Sequence, residues 1–247
     1  MSTNSRRRSV RLALAAVILV AAGASARAQG EVTTTPAPRE GGAMKLHESF
    51  LKRAKEGKID LLFLGDSITQ GWGINGREVW ERFYAPRAAA NFGIGGDRTE
   101  HVLWRLEHGE VEGIRPKLVV LMIGTNNSGS NTAEAIATGV TAVVKSLREK
   151  LPEAKILLLG VFPRGERPGS IRDKLAAVNA QIAKLDDGTM VKYLDISKSF
   201  LQDDGTIARD VMPDFLHLSP KGYRIWADAM EPTLQAMLEG DEPAGSE

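Results

Sequence analysis

The chain has 247 residues, of which 43% are hydrophobic, so it is long enough to bury one substantial core. Its 32 basic and 31 acidic residues give a formal net charge of +1 and form no basic stripe, so we expect no nucleic-acid partner. Cysteine is absent, which excludes disulfides, thiolate catalysis and metal sites with cysteine ligands.

The N-terminal segment is typical of an export signal. Several arginines precede an apolar run over residues 12–24, and the sequence ARA at 26–28 offers a cleavage site. An uncleaved membrane anchor is the alternative interpretation, but the apolar run is short for a bilayer span. The sequence therefore predicts a signal peptide over residues 1–28 and a periplasmic or extracellular protein. Without it, 27 basic residues face 31 acidic ones, so the exported chain is mildly acidic.

The composition of two further segments is typical of residues outside a folded domain. Residues 29–43 are rich in Thr, Pro and Gly, which predicts a flexible linker. Residues 240–247 predict a disordered tail. The domain itself is therefore expected over residues 44–239.

Short apolar runs alternate with amphipathic stretches through this domain. The runs are nearly continuous in apolar residues, as strands buried on both faces must be. They span residues 61–64, 88–92, 118–123, 156–161 and 191–196. Stretches with helical periodicity cover residues 132–151, 170–185 and 219–238. The alternation predicts a three-layer α/β/α fold around a parallel sheet, in which ligands bind beyond the carboxyl ends of the strands.

Three polar side chains have the chemistry of a serine hydrolase. A serine hydroxyl becomes a nucleophile when a histidine that is held by a carboxylate takes its proton. Ser67 follows the first predicted strand directly, and His217 alone among the four histidines has an aspartate, Asp214, three residues before it. The sequence therefore predicts Ser67 as the nucleophile, His217 as the base and Asp214 as the acid that orients the base.

Acyl transfer also needs hydrogen-bond donors for the oxyanion that develops on the substrate carbonyl. The glycines at 93–96 follow the second strand and let a backbone N–H approach a ligand closely, and Asn126 follows the third strand with a side-chain amide. With Ser67 and its base, these groups suffice for acyl transfer without a cofactor or a metal ion. Asp66 is next to Ser67, but adjacent side chains on a strand point apart, so we interpret it as a capping residue.

Each of these residues also has an ordinary structural interpretation. Taken alone, Ser67 is typical of a helix cap, and the segments 93–96 and 124–127 are typical of turns. His217 alone would be a surface histidine. A phosphate-type anion site at the helix that follows Ser67 is a further alternative, although it leaves Asp214 and His217 without a role. The joint occurrence of the whole set, with the first three segments expected at one sheet edge, favours catalysis.

The blocks GDS, GIGGD, GTNN and DFLH resemble, in order, the four sequence blocks of the SGNH (GDSL-type) hydrolase family. The resemblance is closer to the branch that contains the catalytic subunits of intracellular platelet-activating-factor acetylhydrolase. It rests on NFGIGGDRTEHVLWRLEHGEVEGIRPK, PRGERP and DFLHL and covers roughly residues 46–238. The stretch SITQGWG after the serine instead looks like bacterial esterases of the family.

The resemblance implies a flavodoxin-like five-stranded parallel sheet with strand order 2-1-3-4-5. It implies Ser67, Asp214 and His217 as the catalytic residues. The oxyanion hole it implies consists of the N–H groups of Ser67 and Gly96 and the side chain of Asn126. It also implies a homodimer.

The sequence thus predicts an exported serine esterase that hydrolyses short-chain, acetyl-type esters through an acyl-serine intermediate. Ile68, Thr125 and Leu216 are closest to the chemistry in sequence and are predicted to form a small acyl pocket, with Trp72 as a candidate for its mouth. The substrate is a small ester, either an acetylated carbohydrate or a lipid. The alternative is a non-catalytic carbohydrate-binding or scaffold domain on the same fold.

Overall fold

The structure is a computed structural model that describes residues 31–239. Five strands form one sheet, and every neighbouring pair is parallel. The strands are β1 Leu61–Gly65, β2 Ala89–Gly93, β3 Leu118–Met122, β4 Lys155–Leu159 and β5 Val191–Leu194. Their order across the sheet is β2-β1-β3-β4-β5, which confirms the predicted topology.

Helices connect the strands and cover both faces of the sheet. They are α1 Gly42–Lys55, α2 Ser67–Gln70, α3 Arg77–Phe83, α4 Thr99–Glu107, α5 Ala133–Lys150, α6 Ser170–Ile182 and α7 Pro220–Glu239. Residues 31–34 are also helical, and 3-10 turns lie at Gly71–Gly73, Ala85–Arg87, Thr125–Gly129, Ala183–Leu185 and Ser197–Phe200. The three stretches predicted as helices correspond to α5, to α6 with the turn that follows it, and to α7.

The central strand β1 shows why the apolar runs are continuous. Leu62 and Leu64 pack in the core formed with α1, α4, α5 and α6. Leu61 and Phe63 pack in the opposite core, formed with α3 and α7. Because successive side chains of a strand point to opposite faces, a sheet covered on both faces needs apolar residues at every position. Each fully buried side chain of this size contributes roughly 1.5–3 kcal/mol.

The segment predicted as a flexible linker is described from residue 31 onward, and it packs on the domain instead. Thr33 is fully buried, and its Oγ1 donates to the carbonyl of Ala135 at 2.7 Å. Its own carbonyl accepts from Oγ1 of Thr99 at 2.9 Å. These partners come from α5 and α4, so the Thr- and Pro-rich composition alone could not reveal them. We call residues 31–41 the N-terminal strap.

The predicted signal peptide over residues 1–28 and the predicted tail over residues 240–247 lie outside the described residues. Within residues 31–239, no helix combines the length and the apolar character that a membrane span requires. In the same part of the chain, His, Asp and Glu side chains form no group of three that could hold a metal ion.

Candidate active site

Ser67 stands where β1 ends and α2 begins. Asp66 caps this short helix, because its Oδ1 accepts the N–H of Ile68 at 2.9 Å. The turn is tight: a side chain on Gly65 would place its Cβ 2.3 Å from the carbonyl oxygen of Met122 in the neighbouring strand. Oγ1 of Thr69 in α2 would be equally close, so glycine at this position lets α2 pack directly against the end of β1, where Ser67 stands at the carboxyl edge of the sheet.

The structure brings Ser67, His217 and Asp214 together in one hydrogen-bonded line. Ser67 Oγ lies 2.9 Å from His217 Nε2, and His217 Nδ1 lies 2.7 Å from Asp214 Oδ2. The second oxygen of Asp214 accepts the backbone N–H groups of Leu216 at 3.1 Å and His217 at 2.7 Å. Phe215 takes a left-handed conformation, with φ +59°, which closes this turn. The three-residue spacing between aspartate and histidine is thus what lets the acid reach its base.

The electrostatics of the line suit a general base. Burial alone would raise the pKa of Asp214, but hydrogen bonds from the His217 side chain and from the N–H groups of His217 and Leu216 outweigh it and hold the pKa below its ordinary value. The resulting carboxylate accepts a hydrogen bond from the N–H at Nδ1 of His217, which leaves Nε2 as the acceptor for the hydroxyl of Ser67. The side chains of Asp214 and His217 are 55% and 44% exposed, so the line opens to solvent.

The glycine turn that carries one of the predicted oxyanion donors lies beside Ser67. An ideal Cβ on Gly95 would be 3.7 Å from the Cβ of Ser67, and Gly96 has φ +80°, which favours glycine. Among residues 31–239, the N–H groups of Ser67 and Gly96 have no hydrogen-bond acceptor. Nδ2 of Asn126 donates to the carbonyl of Asp97 at 2.8 Å, and this bond uses one of its two hydrogens. The unpaired donors are available to a substrate oxygen.

The residues predicted to form the acyl pocket are more buried than expected. Ile68 and Thr125 are each 1% exposed, and Leu216 is half-buried. Ile68 belongs to the core on the α7 side of the sheet, and its carbonyl accepts the hydroxyl of Tyr223 at 2.7 Å. Ile68 is therefore a core residue in this structure, and Leu216 is the member of the three with appreciable exposed surface.

The suggestion that Trp72 lines the pocket mouth is wrong. Trp72 is fully buried, and its ring centroid lies 4.7 Å from that of Tyr223 and 4.8 Å from that of Trp226. Both partners belong to α7, more than 150 residues further along the chain, so the sequence near Trp72 gave no sign of them. The exposed apolar side chain in this loop is Ile74, at 68%.

Sequence reasoning missed a buried charge network behind the glycine turn. Nε of Arg105 lies 2.9 Å from Oδ2 of Asp97, and Arg105 also pairs with Glu110. Glu110 in turn contacts Nδ1 of His47 at 2.9 Å. All four residues are at most 5% exposed. Asp97, Arg105 and Glu110 lie in one sequence stretch and His47 lies in α1, but nothing in their spacing indicated that they are buried together.

The buried carboxyl of Asp66 makes stability depend on pH. Burial raises its pKa to about 7, although the N–H of Ile68 opposes this rise. The folded protein then binds a proton that the unfolded chain has lost, so the free energy of unfolding falls between about pH 4 and pH 7, by roughly 4 kcal/mol in total. Asp66→Asn keeps a capping oxygen and cannot titrate. When urea unfolding is measured across this pH range, we expect the free energy of unfolding of Asp66→Asn to fall less with rising pH than that of the wild-type protein. Parallel curves of unfolding free energy against pH for the two proteins would contradict the role of Asp66 in this decline.

Serine hydrolases are the class of protein that this α/β fold and this hydrogen-bonded line define. A family model described as "GDSL-like Lipase/Acylhydrolase family" matches residues 63–225, and the chain belongs to that family. It is 41% identical over 208 residues to platelet-activating factor acetylhydrolase IB subunit alpha1 of Homo sapiens, a match that covers 84% of this chain and 89% of that protein. With the alpha2 subunit of Mus musculus it shares 42% identity over 197 residues, covering 79% and 85%. The protein is therefore a carboxylic ester hydrolase.

Solved structures share the fold at low sequence identity. An acylhydrolase structure from Bacteroides fragilis superposes with a TM-score of 0.66 at 19% identity, covering 81% of this chain and all of that one. A carbohydrate acetylesterase family member from Sinorhizobium meliloti gives a TM-score of 0.55 at 18% identity, covering 74% and 100%. At these identities the likeness establishes the fold alone.

Proposed function

We propose that this protein hydrolyses short-chain, acetyl-type carboxylic esters through an acyl-enzyme on Ser67. The observation that carries the proposal is the line from Ser67 Oγ to His217 Nε2 at 2.9 Å and from His217 Nδ1 to Asp214 at 2.7 Å. It has the order and spacing that base-assisted attack by a serine requires.

The cycle follows from the geometry. As Oγ of Ser67 attacks the ester carbonyl, its proton passes to Nε2 of His217, and the N–H of Gly96 and the amide of Asn126 receive the oxyanion together with the N–H of Ser67. Collapse of the tetrahedral state breaks the ester bond, and His217 gives its proton to the leaving alcohol. A water molecule then attacks the acyl-serine and gives a proton to His217; the bond to Ser67 Oγ breaks, His217 returns the proton to Oγ, and the carboxylic acid is released.

A preference for small acyl groups is supported by the packing around the nucleophile. Ile68 and Thr125, which flank the site in sequence, offer almost no exposed surface, so neither side chain provides an open surface for a long acyl chain. The similar proteins of Homo sapiens and Mus musculus carry the name acetylhydrolase.

The acyl preference has a direct test. We expect kcat/KM to fall from p-nitrophenyl acetate to butyrate to octanoate, because each added methylene must find space in a packed site. Leu216→Ala keeps the backbone N–H that holds Asp214 and removes the half-buried side chain, so it should narrow the gap between acetate and octanoate. Equal rates on acetate and octanoate in the wild-type protein would contradict a small acyl pocket.

The leaving group is an alcohol of either a carbohydrate or a lipid. One set of relatives is named for platelet-activating factor, and one solved neighbour is described as a carbohydrate acetylesterase family member. Assays of acetylated sugars beside a short-acyl phospholipid would separate the two. A non-catalytic carbohydrate-binding or scaffold domain remains the competing function, and it would neither turn over esters nor take up a fluorophosphonate at Ser67.

We further propose that residues 1–28 direct export and are removed. The basic, apolar and ARA segments support this proposal. The mass of the protein recovered outside the cytoplasm should correspond to a chain that begins at Gln29, whereas an intact chain retained inside the cell would contradict it. The homodimer expected from the resemblance stays a prediction that light scattering in solution can check.

A further inference from the structure

Arg39, at the end of the N-terminal strap, lies against the turn that carries the oxyanion donors. Its Nη1 donates to the carbonyl of Gly95 at 2.5 Å and to Oδ1 of Asp97 at 3.0 Å. A Cβ on Gly96 would be only 3.1 Å from Nη2 of Arg39. The guanidinium therefore binds Gly95 and Asp97 and lies where a side chain on Gly96, the residue with the unpaired N–H, would be.

The contact with Gly95 bears directly on that N–H. The carbonyl of Gly95 and the N–H of Gly96 belong to one peptide group, which is planar and trans, so the two bonds point in opposite directions. A donor fixed on the carbonyl therefore fixes the direction of the N–H. Because the donor is charged, its bond also polarises the peptide and makes the N–H of Gly96 a stronger donor. The preceding peptide is held as well, since the N–H of Gly95 donates to Oε1 of Gln70 at 2.9 Å.

The contact with Asp97 extends to the second donor. The carbonyl of Asp97 accepts Nδ2 of Asn126 at 2.8 Å and so orients the amide. The carboxylate of Asp97 is held between Arg39 and Nε of Arg105, at 3.0 and 2.9 Å. Arg105 is almost fully buried, whereas the side chain of Arg39 is 34% exposed. Arg39 can therefore be changed without opening the core.

We propose that Arg39 is a positioning residue of the oxyanion hole and that the N-terminal strap completes the active site. This rests on the proposed function, in which Gly96 and Asn126 stabilise the oxyanion. Arg39 acts through the peptide of Gly95 and through Asp97. Because Arg39 acts on the charge that develops in the transition state, its loss should lower kcat and leave ground-state binding of the substrate unchanged.

The test is kinetic. Arg39→Ala should lower kcat for p-nitrophenyl acetate about 10–100-fold with KM within about twofold, because loss of an oriented oxyanion donor costs about that much or more. Arg39→Lys keeps the charge but not the paired donors, so its kcat should fall between the two. Methylguanidinium at millimolar concentration should restore part of the kcat of Arg39→Ala and leave the wild type unchanged. If the alanine variant fails to fold, Arg39→Lys alone decides, with reduced kcat at unchanged Tm as the expected result.

Arg148 provides a matched control. It is also half-buried and also donates to two backbone carbonyls, those of Leu151 at 3.3 Å and Ala154 at 2.7 Å. Those bonds lie beside the start of β4, at the sheet edge opposite Ser67. Arg148→Ala should lower Tm, as loss of such bonds does, and leave kcat unchanged.

Three results would overturn the inference. The first is wild-type kcat in Arg39→Ala or in a folded Arg39→Lys, and the second is a raised KM at unchanged kcat in Arg39→Ala. The third is a loss of kcat in Arg39→Ala that methylguanidinium does not restore and that Arg148→Ala also shows. Ser67→Ala in the same assay separates this failure from that of the proposed function. An active Ser67→Ala protein would refute the mechanism itself. An inactive one beside a fully active Arg39→Ala protein would refute only the role of Arg39.

Discussion

Ser67→Ala should leave a folded protein whose kcat for p-nitrophenyl acetate is at least about 10⁴-fold lower, because the substitution removes the nucleophile and leaves only the oxyanion donors and binding. Folding should survive, since Asp66 and not Ser67 caps α2, and within residues 31–239 the hydroxyl of Ser67 bonds only the half-exposed ring of His217. Steady-state kinetics and a thermal melt of the two proteins measure both expectations.

A double variant supplies the control for this loss. Ser67 and His217 act as one unit, so Ser67→Ala with His217→Ala should be no slower than Ser67→Ala alone. A fluorophosphonate should add its mass to the wild-type protein and not to the Ser67→Ala protein. Turnover that persists in a correctly folded Ser67→Ala protein, and that tracks the protein through purification, would rule out the acyl-serine mechanism.

Asp214→Asn should have the next largest effect, with kcat lower by about 10⁴-fold, the size found for the equivalent change in serine proteases. An asparagine can keep its oxygen toward the N–H groups of Leu216 and His217, which Asp214 now binds. Its NH₂ then faces Nδ1 of His217, so the ring must carry its proton on Nε2. In that tautomer the ring cannot accept the proton of Ser67.

Asp210 is a suitable comparison residue for this experiment. It lies four residues earlier, it is similarly exposed, at 62% against 55% for Asp214, and it pairs with Lys221 at 2.7 Å on the protein surface. Asp210→Asn should retain wild-type kcat and KM. Similar losses in the two variants would mean that the charge of this loop matters in general, and not the bond between Asp214 and His217.

The fold could be predicted because it depends on a local pattern. A strand covered on both faces must be apolar at each position, and the run 61–64 satisfies this without reference to any other part of the chain. The same is true of the site, because parallel strands deliver their carboxyl ends to one edge. This rule places Ser67, the glycine turn and Asn126 at one edge. His217 does not directly follow a strand, and it is predicted as the base from its chemistry, because it alone among the histidines has an aspartate three residues before it.

The errors concern residues whose environment comes from distant segments. Thr33 lies in a sequence that reads as a linker, and its burial depends on Thr99 and Ala135, which are 66 and 102 residues away. Trp72 is covered by aromatic side chains of α7. Local composition does not show which distant segment packs on a residue. The burial of Thr33 and of Trp72 therefore could not be predicted from the sequence around them.

The residues in contact around Ser67 are far apart in sequence, and this affects how activity returns when the protein refolds. The turn at Gly95 must meet the strap from the start of the domain, and Ser67 must meet His217 from near its end. Contacts that close such long loops form slowly compared with helices. Recovered esterase activity therefore reports the closure of the whole chain, whereas far-ultraviolet circular dichroism can recover while the enzyme is still inactive.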